Sequence, residues 1–250
     1  MIPLKSEKDL EMMRVSGKIL SRVMRGLRQK IKAGISTAEL DRLAGELVRQ
    51  EGALPAFKGY KGFPANICTS VNEEVVHGIP SEKKLQEGSI ISIDLGVNYK
   101  GYFSDAAITV GIGKLSPELN KLIEVSRRAL SEGIKQACPE NRIKDISFAI
   151  QDCVEKNGFS VVRQFVGHGI GTRLHEEPEI PNFVNPEQCE LIKSGMVFAI
   201  EPMVNLGRWE CEVLENGWTV VTKDGFPSAH FENTVAVTEK GPEILTLIDD

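Results

Sequence analysis

Histidine is scarce in this chain, four in 250 residues, yet two of them fall in one short stretch, VGHGIGTRLHEEP, from Val166 to Pro178. With Glu176 and Glu177 beside His175, two imidazoles and two carboxylates crowd around what reads as a glycine-rich turn. A zinc helix of the H-E-x-x-H kind is excluded. His175-Glu176-Glu177-Pro178-Glu179 has no second histidine four places on, and Pro178 would interrupt the helix. The imidazoles must find their partners elsewhere. The candidates are acids set in apolar runs: Asp94 follows Ile90, Ile91 and Ile93, and Glu201 follows Val197, Phe198 and Ile200. A carboxylate buried in such a strand is costly unless a cation or a metal pairs with it.

The elements that would carry these residues occur twice. SEKDLEMMRVSGKILSRVMRGLRQKI has helical spacing at Leu10, Met13, Ile19, Val23 and Leu27, and STAELDRLAGELVRQEG predicts a second helix capped at Ser36 or Thr37 and stopped at Gly52. Two strands follow, GSIISIDLG and GYFSDAAITV, with a turn near Asn98-Tyr99-Lys100. SPELNKLIEVSRRALSEGIKQA and RIKDISFAIQDCVEKNG repeat the helices, ending at Asn157-Gly158. SGMVFAIEP repeats EGSIISIDL, so Asp94 and Glu201 correspond, each expected at a strand end, and FENTVAV repeats SDAAITV, so Asp105 corresponds to Glu232. One domain over residues 1–250, built of halves at about 6–113 and 116–248, is expected to converge all four acids on its pseudo-twofold centre. Between Glu201 and Glu232 lie 20 more residues than between Asp94 and Asp105, which predicts a longer hairpin near Trp209 and Trp218, over the site.

Four carboxylates and one imidazole make a ligand set for two divalent cations held roughly 3.5–4 Å apart. An oxygen-rich set suits Co, Mn, Fe or Zn better than a metal that seeks thiolates. His168, flanked by Gly167 and Gly169 so that backbone can approach closely, is the better ligand. His175 is left as a donor toward a polarised carbonyl. Nothing basic competes with this reading: the net charge is −5, so no footprint for nucleic acid or an anionic membrane is expected. Five widely spaced cysteines without a C-x-x-C pair predict reduced thiols and a cytoplasmic setting, and no apolar run approaches a membrane span. The GIGK at Gly111–Lys114 lacks phosphate-loop spacing.

NEEVVHGIP, IDLGVNYKGYFSDAA, VGHGIGTRLHEEP, IEPMV and GWTVVTKDG together make the chain resemble the type I methionine aminopeptidases of the pita-bread fold, over nearly its whole length. The resemblance implies an α+β fold, its duplicated helix-helix-strand-strand halves surrounding a central antiparallel sheet. It implies five metal ligands at Asp94, Asp105, His168, Glu201 and Glu232, with Glu201 also moving protons and His175 and His77 on the substrate side. A methionine slot would be formed by Tyr60, Phe63, Cys68, Leu174 and Trp218, with Phe57 nearby. A sodium or potassium site of backbone carbonyls would fall at Asn72, Glu74 and Ser228. The substrates implied are peptide and nascent-chain N-termini with a small second residue, met by a monomer, in part at the ribosome. Three positions depart from the family pattern: Leu174 replaces a common aromatic, Asn233 a common histidine, and Glu140 a common glycine. The rival readings are a Xaa-Pro peptidase, which usually adds a large N-terminal domain, whereas the first helix here starts at about Ser6, and a non-catalytic peptide-binding module, which typically loses ligands.

Overall fold

Each long helix starts where a side chain satisfies its free amides. The computed structural model describes residues 2–248. Ser6 caps α1 (Glu7–Arg28) and Ser36 caps α2 (Thr37–Gln50), each answered by an acid three residues on, Asp9 or Glu39. Ser116 caps α3 (Pro117–Lys135), whose first residue is the proline that position favours. α4 (Ile143–Glu155) begins where the Asp145 carboxylate accepts the Arg142 amide. Gly52 and Gly158, just past α2 and α4, take positive φ values of 70° and 85° and turn the chain out of the helices.

The strands of the first half are β1 (Leu54–Pro55), β2 (Cys68–Val71), β3 (Glu74–Val76), β4 (Ile90–Tyr99) and β5 (Tyr102–Gly111). Those of the second half are β6 (Ser160–Val161), β7 (Gly167–Gly169), β8 (Glu176–Ile180), β9 (Val197–Ile200), β10 (Met203–Asn205), β11 (Cys211–Val213), β12 (Val220–Thr222), β13 (Ser228–His230), β14 (Glu232–Thr238) and β15 (Gly241–Ile244). A nine-stranded antiparallel sheet runs β1-β4-β5-β14-β9-β7-β8, with β2 also on β4 and β15 also on β14. The halves meet at its middle, where β5 pairs with β14. α1 lies against β4 and β5, and α3 against β9 and β14, so each helix pair covers its own half of the sheet.

Two apolar clusters fill these interfaces, one around Leu20, Met24, Leu40, Ile93 and Leu95, the other around Leu122, Ile146, Ile150, Phe198 and Val235. The five positions read as the buried stripe of α1 are all buried. Two details differ from the sequence reading. Asp94 sits in the middle of a ten-residue strand, not at its end, because apolar side chains continue through Val97. Glu201 does lie just past its strand, where Pro202 removes an amide donor. The segment around His168 is a strand rather than a turn, and the turn begins after Gly169.

Candidate active site

The ladder alone brings three acids together. Asp94 on β4 and Glu232 on β14 both stand opposite Ala107 on β5, and residues directly opposite share a face of a sheet. Asp105, two residues before Ala107, points the same way. An alanine at the centre keeps the space between the carboxylates open. Thr234 pins this junction, its hydroxyl accepting the Asp105 amide and donating to the Asp105 carbonyl, each at 2.8 Å.

The second half brings the imidazole and the fourth acid. His168 stands opposite Ala199 on β9, two residues before Glu201. A Cβ on Gly167 would lie 2.4 Å from the Ala199 carbonyl and one on Gly169 2.1 Å from that of Glu177, so only glycines let three backbones close around His168. Its Nδ1 is 2.8 Å from the Gly169 carbonyl, which leaves Nε2 bare and directed to the acids, 3.6 Å from Glu201 Oε1.

A further imidazole completes the cluster, and the sequence reading missed it. His230, 1% exposed, sets Nε2 at 3.5 Å from the other Glu201 oxygen. Strand alternation carries the signal: His230 and Glu232 flank Phe231, which turns to the helix side under Arg127. Phe165, Met203 and Lys61 also line the site without having been singled out.

These acids cannot all be charged as they stand. Burial raises Asp94 to about 7, and burial likewise raises Glu201 to about 7. Burial and then the neighbouring carboxylates push Asp105 and Glu232 well above the usual range. One oxygen each of Asp94, Asp105 and Glu232 is buried with no hydrogen-bond partner, as is His230 Nε2. Donor atoms of Asp105, His168 and Glu232 lie within 4.8 Å of one another. Orphaned, crowded, oxygen-rich donors are what divalent cations satisfy, so the residues fit the metals.

The acids close one end of a cavity of about 210 Å³ whose other walls are apolar. Phe63 meets Phe57 edge-on at 6.5 Å and Trp218 at 5.1 Å; Leu174 and Cys68 are buried in the same wall. Trp218 arrives on the connection between β11 and β12, the expected longer hairpin, whereas Trp209 packs under Arg163 outside the slot. Tyr60 stacks on His175 at 5.2 Å, and His175 in turn lies 4.1 Å from His168. His77 holds a positive φ of 59° and meets Phe165 and Trp218 edge-on, a strained backbone of the kind that collects at functional sites. Burial drops His77 to about 4, and burial with His168 beside it drops His175 to about 3, so both are neutral donors near pH 7.

The three cation-site positions lie at one edge of this region. The Ser228 amide donates to the Asn72 carbonyl at 2.8 Å, while the Glu74 carboxylate accepts the Val71 amide and pairs with Lys83. Asn233 points away from the acids and donates to Thr246. A wider cavity of about 640 Å³ on the helix side of the sheet holds no imidazole.

The pattern of metallopeptidase family M24 matches residues 11–239. A methionine aminopeptidase of Clostridium perfringens is 53% identical over 99% of this chain and 100% of its own length. Methionine aminopeptidase 1 of Bacillus subtilis is 48% identical over 99% and 100%. Among solved structures, the methionine aminopeptidase of Thermotoga maritima superposes with a TM-score of 0.96 at 43% identity, covering 98% of this chain and 99% of that one. A prolidase from Pyrococcus furiosus, 22% identical with a TM-score of 0.82, has the same fold, and 66% of its chain is covered.

Proposed function

The chain belongs to metallopeptidase family M24, and from that membership we propose that it removes the N-terminal methionine from peptides and nascent proteins whose second residue is small. The observation that carries this reading is the joining of two environments in one cavity: buried acids at one end, an apolar slot for a thioether at the other. The ligands are Asp94, Asp105, His168, Glu201 and Glu232, holding two divalent cations (Co, Mn, Fe or Zn). When bound, these supply Lewis acidity toward the scissile carbonyl and lower the pKa of water.

The chain's own residues do the rest. Tyr60, Phe63, Cys68, Leu174 and Trp218, with Phe57 behind them, take the methionine side chain and so fix which bond is presented. Glu201 accepts the proton of the attacking water and returns it to the leaving amine. His175, neutral and anchored between Tyr60 and His168, donates to the carbonyl oxygen as charge develops. His77, set against Phe165 and Trp218, orients the peptide near the scissile amide. A sodium or potassium ion near Asn72, Glu74 and Ser228 would tie β3, which carries Glu74, to β13, which carries Ser228. The five unpaired cysteines agree with a reducing, cytoplasmic setting. We read residues 1–250 as one catalytic unit acting as a monomer, in part on chains leaving the ribosome.

The test is dialysis against a chelator followed by assay on a Met-Ala-containing tripeptide. Methionine release should vanish and return on adding Mn²⁺ or Co²⁺. Release that survives full chelation, or efficient cleavage after Lys or Pro at the first position, would overturn the proposal.

A further inference from the structure

The loop that presents His175 and Leu174 is closed on a single buried carboxylate. Glu176 Oε1 accepts the Arg173 amide at 3.0 Å and the Thr172 hydroxyl at 3.3 Å. Its other oxygen meets Lys5 Nζ at 2.5 Å, and the two side chains are only 3% and 7% exposed. Lys5 is itself held at both ends. Its amide donates to the Gly195 carbonyl at 2.7 Å, and the next residue, Ser6, is the cap of α1. Its stem packs so tightly on the loop that a Cβ at Gly171 would lie 2.1 Å from Lys5 Cε. The Gly171 carbonyl accepts the Phe103 amide at 2.8 Å, which fixes the loop's far side.

A buried carboxylate deprived of its cation turns toward water, at a large cost if it cannot. If Glu176 turned, the amide and hydroxyl it holds would be released, and the loop would lose the contacts that fix the two site residues on it. Displacements of about 1 Å at a donor can cost about 10²-fold in rate. We infer that Lys5 is a positioning residue for the active site: its ammonium, through Glu176, sets where His175 and Leu174 stand. The inference rests on the proposed aminopeptidase reading, and on His175 as the carbonyl donor within it.

The test is a double-mutant cycle on the full, metal-loaded chain, read as kcat for a Met-Ala tripeptide beside metal stoichiometry. His175→Ala should lower kcat by roughly 10²-fold. Lys5→Met should lower kcat by about tenfold or more with two metals retained, yet change it by less than about twofold in the His175→Ala background. A purely structural anchor would give the same factor in both backgrounds, or none in the folded protein, and either result overturns the inference. Should Lys5→Met not fold, Lys5→Met with Glu176→Gln removes the pair without stranding a charge, and the same cycle is run on it. If His175→Ala retains full kcat, the role given to His175 fails instead. The inference is then decided by Leu174: Lys5→Met must alter the ratio of methionyl to leucyl cleavage, and an unchanged ratio rejects it.

Discussion

At the scale of single residues, the site is a balance of negative charge that its own side chains leave unsettled. Asp105 and Glu232 come from different halves, and each keeps a buried oxygen without a partner. Asp105→Asn or Glu232→Gln should therefore abolish methionine release and cost at least one metal in a calorimetric titration; two intact sites in either variant would defeat the dinuclear assignment. The same charges set how the metal-free protein responds to pH. Burial holds Asp94 and Glu201 at about 7, above the values of 3.8 and 4.5 that such carboxyls otherwise have. Between those limits these two acids hold protons that the unfolded chain has lost. Below about 6.5, however, His77 and His175, kept neutral by burial, lack protons that the unfolded chain holds, so the fall in stability is concentrated as pH rises from about 6.5 through 7. The Tm of chelated protein should thus drop between about pH 6.5 and pH 8, and Mn²⁺ should flatten the profile. A chelated protein whose Tm is level or rises across that range would contradict the stated charge balance.

At the scale of elements, the helix starts near Ser6 and Ser36, the glycine stops and the buried stripe of α1 were legible because they are local: each signal acts within a few residues of where it sits. The convergence of the acids was legible because the chain says it twice. His230 was not read because Ser228–His230 has no counterpart flagged in the first half, and only alternation across Phe231 points it inward. The clamp between Lys5 and Glu176 joins residues 171 positions apart, which no spacing rule relates. The departure at Glu140 has a physical meaning in the turn before α4. Its φ is 77°, a conformation that costs a side-chain-bearing residue roughly 1–2 kcal/mol, against which glycine loses some of the gain to chain entropy. Glu140→Gly should therefore raise stability by up to about 1 kcal/mol without altering kcat, measured by denaturant unfolding of the metal-loaded protein. Destabilisation would mean that the glutamate side chain contributes something its backbone position does not suggest.

At the scale of the whole molecule, selectivity comes from how two halves enclose one cavity. Leu174, buried beside His175, replaces a flat aromatic wall with a branched aliphatic one, so norleucyl and leucyl peptides should be cleaved slowly as well as methionyl ones. A tripeptide panel varied at the first two positions decides it: equal rates for Met-Gly and Met-Lys would defeat the small-second-residue rule, and no leucyl cleavage would defeat the permissive wall. Within the nine-stranded sheet the seam between the halves is short, two paired positions, Glu232 with Ala107 and Asn233 with Ala106; β3 meets β12 across the halves in a second short ladder. Asp105 stands on one side of that seam and Glu232 on the other. A cation gripped by both would be a rivet as well as a reagent, fastening the two leaves of the molecule across a short run of ladder. Stripping the metals should then loosen the joint along with silencing the chemistry, seen as faster amide hydrogen exchange at Ala106, Ala107 and Asn233 than in the outer strands. In such a protein the cell's metal supply would govern shape and turnover together, through the same pair of carboxylates.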